Sequence, residues 1–406
     1  MEEIHDIVIV GGGISGLATA LALQRKGIKS IVLERHETLR SSGAAIGMFI
    51  NGWRALDELG VGRRLREKSL ALMEIQDVWI HKDVSRVTPC RKEGLRCLRR
   101  SDLIDALASS LPAECIRVGC QVVRIEPDPL TLFPTLYTRE GEIIKAKVLI
   151  GCDGWNSVVA KCLGLAEPKT LRNLVIRGVT EFSKGHQFGD SFVRQFDDKM
   201  LFGMIPIDHQ IIHWFVDWLP TSTDMETSTR NPDMIKELAT AKLRNHPPET
   251  LEMVRNGEPD SLSLARIRYR SPWDLLLSDA FHRSTTCLTG DAMHVMGPFL
   301  GQGGAAALED AVVLSRNLAM ALRKGEEDDG EVTVLSDEEI KRRVGLGMGE
   351  YVRERRRRIA LLGLQSYLMD LIYSGSNVYK LVGLVVLMVF FRGEMLKHTE
   401  YDCGRL

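Results

Sequence analysis

The stretch DIVIVGGGISG, residues 6–16, leads into a segment of helical composition that begins at its Ile14 and runs to Lys26. After it comes the apolar run SIVLE, residues 30–34. Continuous apolar runs are typical of parallel strands that are buried on both faces. Gly27 lies where the helix should end. These residues therefore predict a strand–helix–strand unit at the start of the chain.

Three glycines in this unit point to nucleotide binding. Gly11, Gly13 and Gly16 have the spacing G-x-G-x-x-G, directly after a strand and at the start of a helix. In this context the glycines form a tight turn, admit a pyrophosphate and let the helix pack closely on the strand. Glu34 ends the second strand, where a carboxylate accepts hydrogen bonds from ribose hydroxyls and disfavours a 2′-phosphate. The motif predicts FAD or NAD as the resident nucleotide, and an ordinary glycine-rich turn is the alternative.

The composition excludes several classes of function. The 406-residue chain has 53 Lys and Arg against 54 Asp and Glu, so no field of one sign favours nucleic acid. Its eight cysteines include no C-x-x-C pair, which is typical of reduced thiols in an intracellular protein. No His, Cys and Asp cluster has metal-ligand spacing. Because no basic, apolar leader precedes Ile7, we expect a cytoplasmic protein with neither a signal nor a transit peptide.

The pattern along the chain changes at about residues 171 and 274. Residues 1–170 and 275–330 read as one discontinuous nucleotide-binding domain, and residues 171–274 read as alternating strands of a mixed sheet. The acidic stretch 326–331 is typical of an exposed linker. Ser336 followed by Glu339 forms a capping box that opens a C-terminal helical region, residues 331–406.

Two later motifs decide the class. Gly151-Cys-Asp153-Gly154 follows the strand-like KVLI, and Gly290-Asp291 leads into MHVMGPFLGQGG. With the N-terminal glycines, these motifs give the whole chain a resemblance to the group A flavoprotein monooxygenases, the para-hydroxybenzoate-hydroxylase-like family. It looks most similar to the plant branch related to salicylate hydroxylase and zeaxanthin epoxidase. The resemblance implies an α/β fold: a Rossmann-like FAD-binding domain, an inserted mixed β-sheet substrate domain and a C-terminal helical region.

The resemblance also implies which residues hold FAD. Arg100 matches the arginine that opens the family's R-x-x-L helix, and Asp291 matches the aspartate that binds ribityl oxygens. Pro298 falls next to the flavin's reactive carbon and is the one flavin-adjacent candidate for a catalytic position. The full set of cofactor-binding candidates is Gly11, Gly13, Gly16, Glu34, Arg35, Arg40, Arg100, Asp153, Gly154, Asp291, Gly301, Gly303 and Gly304.

The implied activity uses NAD(P)H and O2 to hydroxylate or epoxidise a small electron-rich substrate, aromatic or isoprenoid-like, through a flavin hydroperoxide. Reductases and halogenases on the same fold are alternatives, although the halogenase motif Trp-x-Trp-x-Ile-Pro is absent. A third alternative is an FAD-binding protein with weakened catalysis. It is favoured by Ala45 and Ala160, which replace a glycine and an arginine that are common in the family.

On the substrate side, strand alternation in IIHWFVDWL puts Trp214 and Trp218 on one face and His213 on the other. Two tryptophans on one face are more typical of a sheet core than of a substrate wall. A histidine in a strand is more often a satisfied structural residue than a ligand contact. His213 and Trp214 are therefore the substrate-side candidates, each with a structural alternative.

Leu381–Phe391 reads LVGLVVLMVFF, eleven apolar residues between Lys380 and Arg392. As a helix it would rise about 16 Å, well short of the ~30 Å hydrocarbon core of a bilayer. Three fates remain open for this segment: burial under neighbouring helices, pairing with another subunit, or peripheral contact with a membrane surface.

Overall fold

A computed structural model describes residues 2–39, 44–82, 84–90, 94–197, 200–221, 231–323, 335–374, 377–391 and 396–406. Arg40 and the acidic stretch 326–331 lie outside the described residues. The strands are β1 Glu2–Val10, β2 Ile31–Leu33, β3 Ala45–Phe49, β4 Glu74–Trp79, β5 Val84–Pro89, β6 Leu95–Arg99, β7 Ile116–Arg117, β8 Val122–Pro127, β9 Pro134–Thr138, β10 Ile143–Gly151, β11 Lys169–Glu181, β12 Ser191–Asp197, β13 Met200–Pro206, β14 Ile211–Trp218, β15 Ser263–Tyr269, β16 His282–Arg283 and β17 Thr286–Leu288.

The helices connect these strands and form the C-terminal region. They are α1 Ile14–Arg25, α2 Ile50–Glu58, α3 Gly62–Arg66, α4 Arg100–Ala108, α5 Val158–Leu163, α6 Pro232–Lys242, α7 Pro248–Arg255, α8 Pro272–Leu277, α9 Asp291–His294, α10 Gly303–Arg323, α11 Asp337–Ser374 and α12 Asn377–Phe391. Only one half of the predicted capping box is present at the start of α11: the hydroxyl of Ser336 accepts a hydrogen bond from the Glu339 amide at 3.3 Å, while the Glu339 carboxylate accepts from Arg342 and Arg343.

The predicted strand–helix–strand unit forms the centre of an eight-stranded sheet. Its strands follow the order β16-β17-β10-β1-β2-β7, and β9 and β8 extend it beside β10. β1 lies parallel to both β10 and β2. The glycine turn after β1 and the Asp153 motif after β10 therefore meet at the same edge, because the carboxyl ends of neighbouring parallel strands coincide.

A seven-stranded sheet with the order β15-β11-β14-β13-β12-β4-β5 forms the second layer. Five of its strands, β11 to β15, come from residues 171–274 and the residues just before them, and β4 and β5 come from the N-terminal segment. β4 pairs in parallel with β12, with Glu74 opposite Ser191. This long-range register carries no local sequence signal, since an alternating strand can join any sheet that offers an apolar face.

The two faces of the second sheet have different partners. One face, with Phe202, Trp214 and Val216, packs in a core with residues of α6 and α7. The opposite face, with Val179 and Ile205, packs against residues of the small β3–β6 ribbon. This second face therefore looks toward the FAD-binding domain, and its side chains form one wall of the crevice between the sheets.

A fully buried ion network joins α10, α11 and the Gly290 turn. Arg355 of α11 donates from Nε to Asp310 at 2.7 Å and contacts Glu309 at 2.7 Å through its other nitrogen. The second oxygen of Asp310 accepts from the Gly290 amide at 3.0 Å and contacts His294 Nε2 at 2.5 Å. Burial alone would raise the pKa of Asp310, but His294 and Arg355 hold it well below its usual range.

We expect Arg355→Met to lower the free energy of unfolding by about 3–5 kcal/mol, because it removes the buried cation that Glu309 and Asp310 share. Arg353→Met, on the exposed side of the same helix, is the matched control and should change stability by less than about 0.5 kcal/mol. Urea denaturation followed by circular dichroism measures both. An Arg355→Met protein as stable as the Arg353→Met protein would contradict this assignment.

Candidate active site

The glycine turn after β1 has the shape that a bound pyrophosphate requires. A Cβ on Gly16 would lie 1.9 Å from the carbonyl oxygen of Gly11, so only glycine lets α1 approach the strand this closely. A Cβ on Gly13 would meet nothing within 4 Å. The space above the start of α1 is therefore open to a ligand, and the amides of the first helical turn face an anion favourably.

Glu34 organises the chain on the other side of this turn. Its carboxylate accepts a hydrogen bond from the Gly12 amide at 2.7 Å and another from the His36 amide at 3.0 Å. The His36 ring lies 2.5 Å from the same carboxylate. Glu34 is buried, whereas Arg35 beside it is exposed. The carboxylate thus holds the glycine turn in place at the position where the sequence predicts a ribose.

Arg100 and Asp291 face a common space from two different elements. Arg100 is the first residue of α4, and its Nε is buried without a hydrogen-bond partner among the described residues. Burial lowers the pKa of this guanidinium, and the nearby Asp291 carboxylate partly offsets that effect. Asp291 opens α9 and is exposed. An orphaned donor opposite an exposed carboxylate is suited to a polar ligand that lies between them.

The Pro298–Gly304 segment forms the third side of the cradle. Pro298 is exposed at the start of a short 3₁₀ turn, and Gly301 has a φ of +62°. Gly303 and Gly304 begin α10, whose first amides lack acceptors within the helix. A Cβ on Gly304 would lie 2.2 Å from Cδ1 of Ile46. β3 and the start of α10 therefore approach each other closely at this point.

The carboxylate of Asp153 forms hydrogen bonds within its own loop. One carboxylate oxygen accepts from the Val158 amide at 2.7 Å at the start of α5, and the other is buried without a partner among the described residues. Burial raises the pKa of this carboxyl. Gly154 has a φ of +77°, which glycine adopts without strain. Ala160, where the family commonly has an arginine, is buried in the core of the FAD-binding domain.

Register places the predicted substrate-side residues on opposite faces of the second sheet. His213 of β14 pairs with Val179 and lies on the face toward the crevice. Trp214 points the other way: it is fully buried in the core with α6 and α7, and its indole donates to Thr180 Oγ1 at 2.9 Å. This placement argues against Trp214 as a substrate contact and accounts for it as a core residue.

Burial controls the protonation of two groups on the crevice face. It lowers the pKa of His213 to about 4, and the nearby Arg177 charge acts in the same direction. The ring donates from Nδ1 to the carbonyl of Gly178 at 2.9 Å, so neutral His213 carries its proton on that atom. Burial also raises the pKa of Asp217 to about 6, although the Asn173 amide donates to its carboxylate at 2.6 Å.

Comparison with known proteins identifies the family. Residues 5–330 match the family described as "FAD binding domain". Monooxygenase 1 of Arabidopsis thaliana is 44% identical and aligned over 100% of both chains. Monooxygenase 2 of the same plant is 37% identical over 100% of this chain and 99% of its own.

The chain belongs to the group A flavoprotein monooxygenases. 3-Hydroxybenzoate 6-hydroxylase of Klebsiella oxytoca is 28% identical over 79% of this chain and 81% of its own. The fold matches HpxO of Klebsiella pneumoniae, solved with FAD and uric acid, with a TM-score of 0.73, 21% identity and coverage of 98% and 94%. The protein is therefore a flavoprotein monooxygenase whose cofactor is FAD.

The residues of this chain fit FAD. The open space over Gly13 suits the pyrophosphate, Glu34 lies at the ribose position, and the orphaned Nε of Arg100 lies near Asp291 on the flavin side. These residues would hold the cofactor with the start of α10. The second glycine cluster, Gly345 to Gly349, lies inside α11 and so is not a strand-linked nucleotide turn.

Sequence reasoning missed several residues of the site. Arg177, Phe215 and Asp217 share the crevice face of β11 and β14, but only the pairing register shows it. The alternation in β14 put His213 on the face opposite Trp214, although it could not tell which face meets the FAD-binding domain. Asn51 was also missed: its amide donates to the buried Gln302 at 2.8 Å and to Glu309 at 2.6 Å.

We expect Glu34→Ala and Asp291→Ala each to weaken FAD binding about 10- to 150-fold, because each removes a charged acceptor worth ~1.5–3 kcal/mol. Glu37→Ala, an exposed carboxylate in the same loop, is the matched control. Fluorescence titration of the apoprotein with FAD measures the three dissociation constants. If both site variants bind FAD as tightly as the Glu37→Ala protein, the assignment of these two residues is wrong.

Proposed function

We propose that the protein uses NAD(P)H and O2 to hydroxylate or epoxidise a small electron-rich substrate, aromatic or isoprenoid-like, in the crevice between the two sheets. The observation that supports this proposal is that two different surfaces face each other across the crevice. The FAD cradle around Pro298 and Arg100 lies opposite a sheet face that carries apolar side chains together with Arg177 and His213.

FAD, when bound, supplies the oxygen-activation chemistry, and the protein supplies position and a dry pocket. Val179, Ile205 and Phe215 belong to an apolar cluster that also includes residues of β3 and β6, and this cluster excludes water from the crevice. Neutral His213, with its proton on Nδ1, leaves Nε2 free of a proton and able to accept a hydrogen bond from a substrate hydroxyl. Pro298 would contact the flavin edge without adding a charge.

In this proposal, NAD(P)H has no nucleotide-binding domain of its own. The chain has one strand-linked G-x-G-x-x-G unit, and the residues of that unit fit FAD. We infer that the nicotinamide cofactor docks transiently on the FAD-binding domain, near the loop of Asp153 and Gly154. A short-lived contact at that loop would leave the glycine turn available to FAD.

The experiment described below also distinguishes two other functions. A reductase or halogenase on this fold would consume NAD(P)H without incorporating oxygen into a product. An FAD-binding protein with weakened catalysis would do neither, and its support is the replacement of family residues by Ala45 and Ala160. Of these two positions, Ala45 lies on β3 and is partly exposed.

We expect NADPH or NADH to reduce the bound flavin quickly only when substrate is present. The purified holoenzyme is mixed with NADPH in a stopped-flow instrument, with and without each member of a panel of phenolic acids, indoles and terpenoids. Products formed under ¹⁸O₂ are analysed by mass spectrometry for one incorporated oxygen atom. Fast reduction without substrate that no compound changes, together with no labelled product, would contradict the proposed function.

We further propose a cytoplasmic protein that contacts a membrane surface through α12. The solvent-facing side of this helix carries six exposed aliphatic or thioether side chains and no acidic residue: Val378, Leu381, Val382, Leu384, Val385 and Met388. Its other side packs on α11, and Leu387 is buried in a cluster with Leu300, beside Pro298. Burial under neighbouring helices therefore accounts for one side of α12 only.

A lipid surface is the occupant that suits this face. Among the described residues, no helix is long and apolar enough to cross a bilayer, so α12 would lie in the plane of the interface. Lys380 within the helix can reach anionic headgroups while the apolar side enters the acyl boundary. The contact would place the membrane next to the cluster that contains Leu300 and Leu387.

We expect the full chain to float with vesicles of phosphatidylcholine and phosphatidylserine, and the double variant Leu381→Glu/Val385→Glu to remain at the bottom of the gradient. Met320→Glu/Leu346→Glu places the same charges at exposed apolar positions on α10 and α11 and should float like the wild type. Flotation of the Leu381→Glu/Val385→Glu protein would contradict the lipid contact. A wild-type protein that does not float but forms a dimer, which is lost in the double variant, would also contradict it.

A further inference from the structure

Residues 400–406 lie across α2, α10 and α11, the helices that carry the buried ion network and the residues bonded to it. The backbone carbonyls of this segment accept hydrogen bonds from Arg54 of α2 and from Arg316 of α10. The Leu406 amide donates to Glu58 of α2 at 2.8 Å. The segment therefore holds together helices that are far apart in the sequence.

The ring of Tyr401 covers two guanidinium groups of α11. Cζ of Arg355 lies over the ring, 5.3 Å from its centroid, and Cζ of Arg358 lies over it at 4.6 Å. A cation within about 6 Å of an aromatic centroid is attracted by the negative face of the ring. The attraction is strengthened where water is excluded, and Arg355 has no solvent exposure. Tyr401 therefore stabilises the charges of both arginines at their observed positions.

The same two arginines hold an acid that supports the cradle. Glu309 pairs with Arg355 at 2.7 Å and with Arg358 at 3.0 Å. Its carboxylate also accepts a hydrogen bond from Asn51 at 2.6 Å, and Asn51 donates to Gln302 at 2.8 Å. Gln302 directly precedes α10, whose first amides form one side of the FAD cradle. A displacement of the guanidinium groups would therefore reach the start of α10.

A second route to the cradle passes through Asp310. Arg355 donates to one oxygen of this carboxylate, and the other oxygen accepts from the Gly290 amide at 3.0 Å, directly before Asp291. Asp310 has no solvent exposure, so it has no water to replace its cation if the arginine moves. The positions of the α11 guanidinium groups therefore bear on two parts of the cradle.

We propose that Tyr401 is a positioning residue for FAD. Its ring face holds Arg355 and Arg358 against the two acids of the ion network. The acids in turn keep the Gly290 turn and the start of α10 in the geometry that binds the cofactor. The inference concerns retention of FAD, and it is independent of the proposed substrate, the NAD(P)H contact and the membrane surface.

Fluorination of the ring separates its electrostatic effect from its shape. The full chain is prepared with phenylalanine at position 401, and then with phenylalanine that carries one, two or three fluorine atoms. Fluorine withdraws electron density from the ring face and changes the size of the ring little, so it weakens only the attraction for a cation. Fluorescence titration of each apoprotein with FAD gives the dissociation constants.

We expect the Tyr401→Phe protein to bind FAD within about threefold of the wild type, because it keeps the ring face. The dissociation constant should then rise stepwise with each added fluorine, by about 3- to 30-fold over the series, as the loss of a cation–aromatic contact predicts. A dissociation constant that stays the same from phenylalanine to the trifluorinated ring overturns the inference, because a residue that acts only through its shape gives that result.

Natural substitutions test whether Tyr401 acts through the arginines. Tyr401→Leu should weaken FAD binding by about 3- to 30-fold. Arg405→Met changes an exposed side chain of the same segment and is the matched control, with the affinity of the wild type. The double variant Arg358→Met/Tyr401→Leu should bind FAD less weakly than the product of the two single effects, because both changes break one contact. Single effects that multiply fully in the double variant overturn the route through the arginines.

Thermal melting of the apoproteins separates positioning from folding, with every titration made below the lowest melting temperature. If Tyr401→Leu lowers the melting temperature but leaves both the FAD dissociation constant and the visible circular dichroism of the bound flavin unchanged, Tyr401 is only structural and the inference is wrong. If Tyr401→Leu does not fold, the fluorinated series decides, since its rings keep the native shape. None of these outcomes alters the assignment of the family or of FAD.

Discussion

The buried pairing of Arg355 with Glu309 and Asp310 is the constraint on which the site depends. Two carboxylates and a guanidinium with no solvent exposure are stable only when each charge has its partner. Asp310 then uses its remaining oxygen to hold the Gly290 amide, directly before Asp291. Through these bonds, the orientation of the flavin-side turn is determined by a helix that is remote in sequence.

The same network extends to the rest of the cradle. Glu309 also accepts from Asn51 at the start of α2, and Asn51 donates to Gln302 at the turn before α10. The ends of β3, α10 and the Gly290 turn are therefore linked by hydrogen bonds below the surface that faces the ligand. A cofactor cradle built from backbone amides needs such support, because amides cannot adjust to a ligand as flexible side chains do.

The crevice separates two kinds of surface. On the FAD side the groups that face the ligand are glycines, amides and the ends of helices, which recognise phosphate and ribityl groups. On the sheet side they are apolar side chains with Arg177 and neutral His213. Reaction between a cofactor and a small organic substrate requires this division, since one surface must bind a polar nucleotide while the other excludes water.

The sequence by itself determined the nucleotide unit, because its glycine spacing, strand and helix signals are all local. Gly11, Gly13, Gly16 and Glu34 could be named, as could the motifs at Asp153 and Asp291 and the helix that begins after Ser336. Tertiary structure alone decided that β4 joins the second sheet, that Trp214 belongs to the core under α6 and α7, and that Arg177 lies beside Phe215. The physical reason is that strand register, and the choice of which sheet face meets which domain, depend on contacts between residues far apart in the chain.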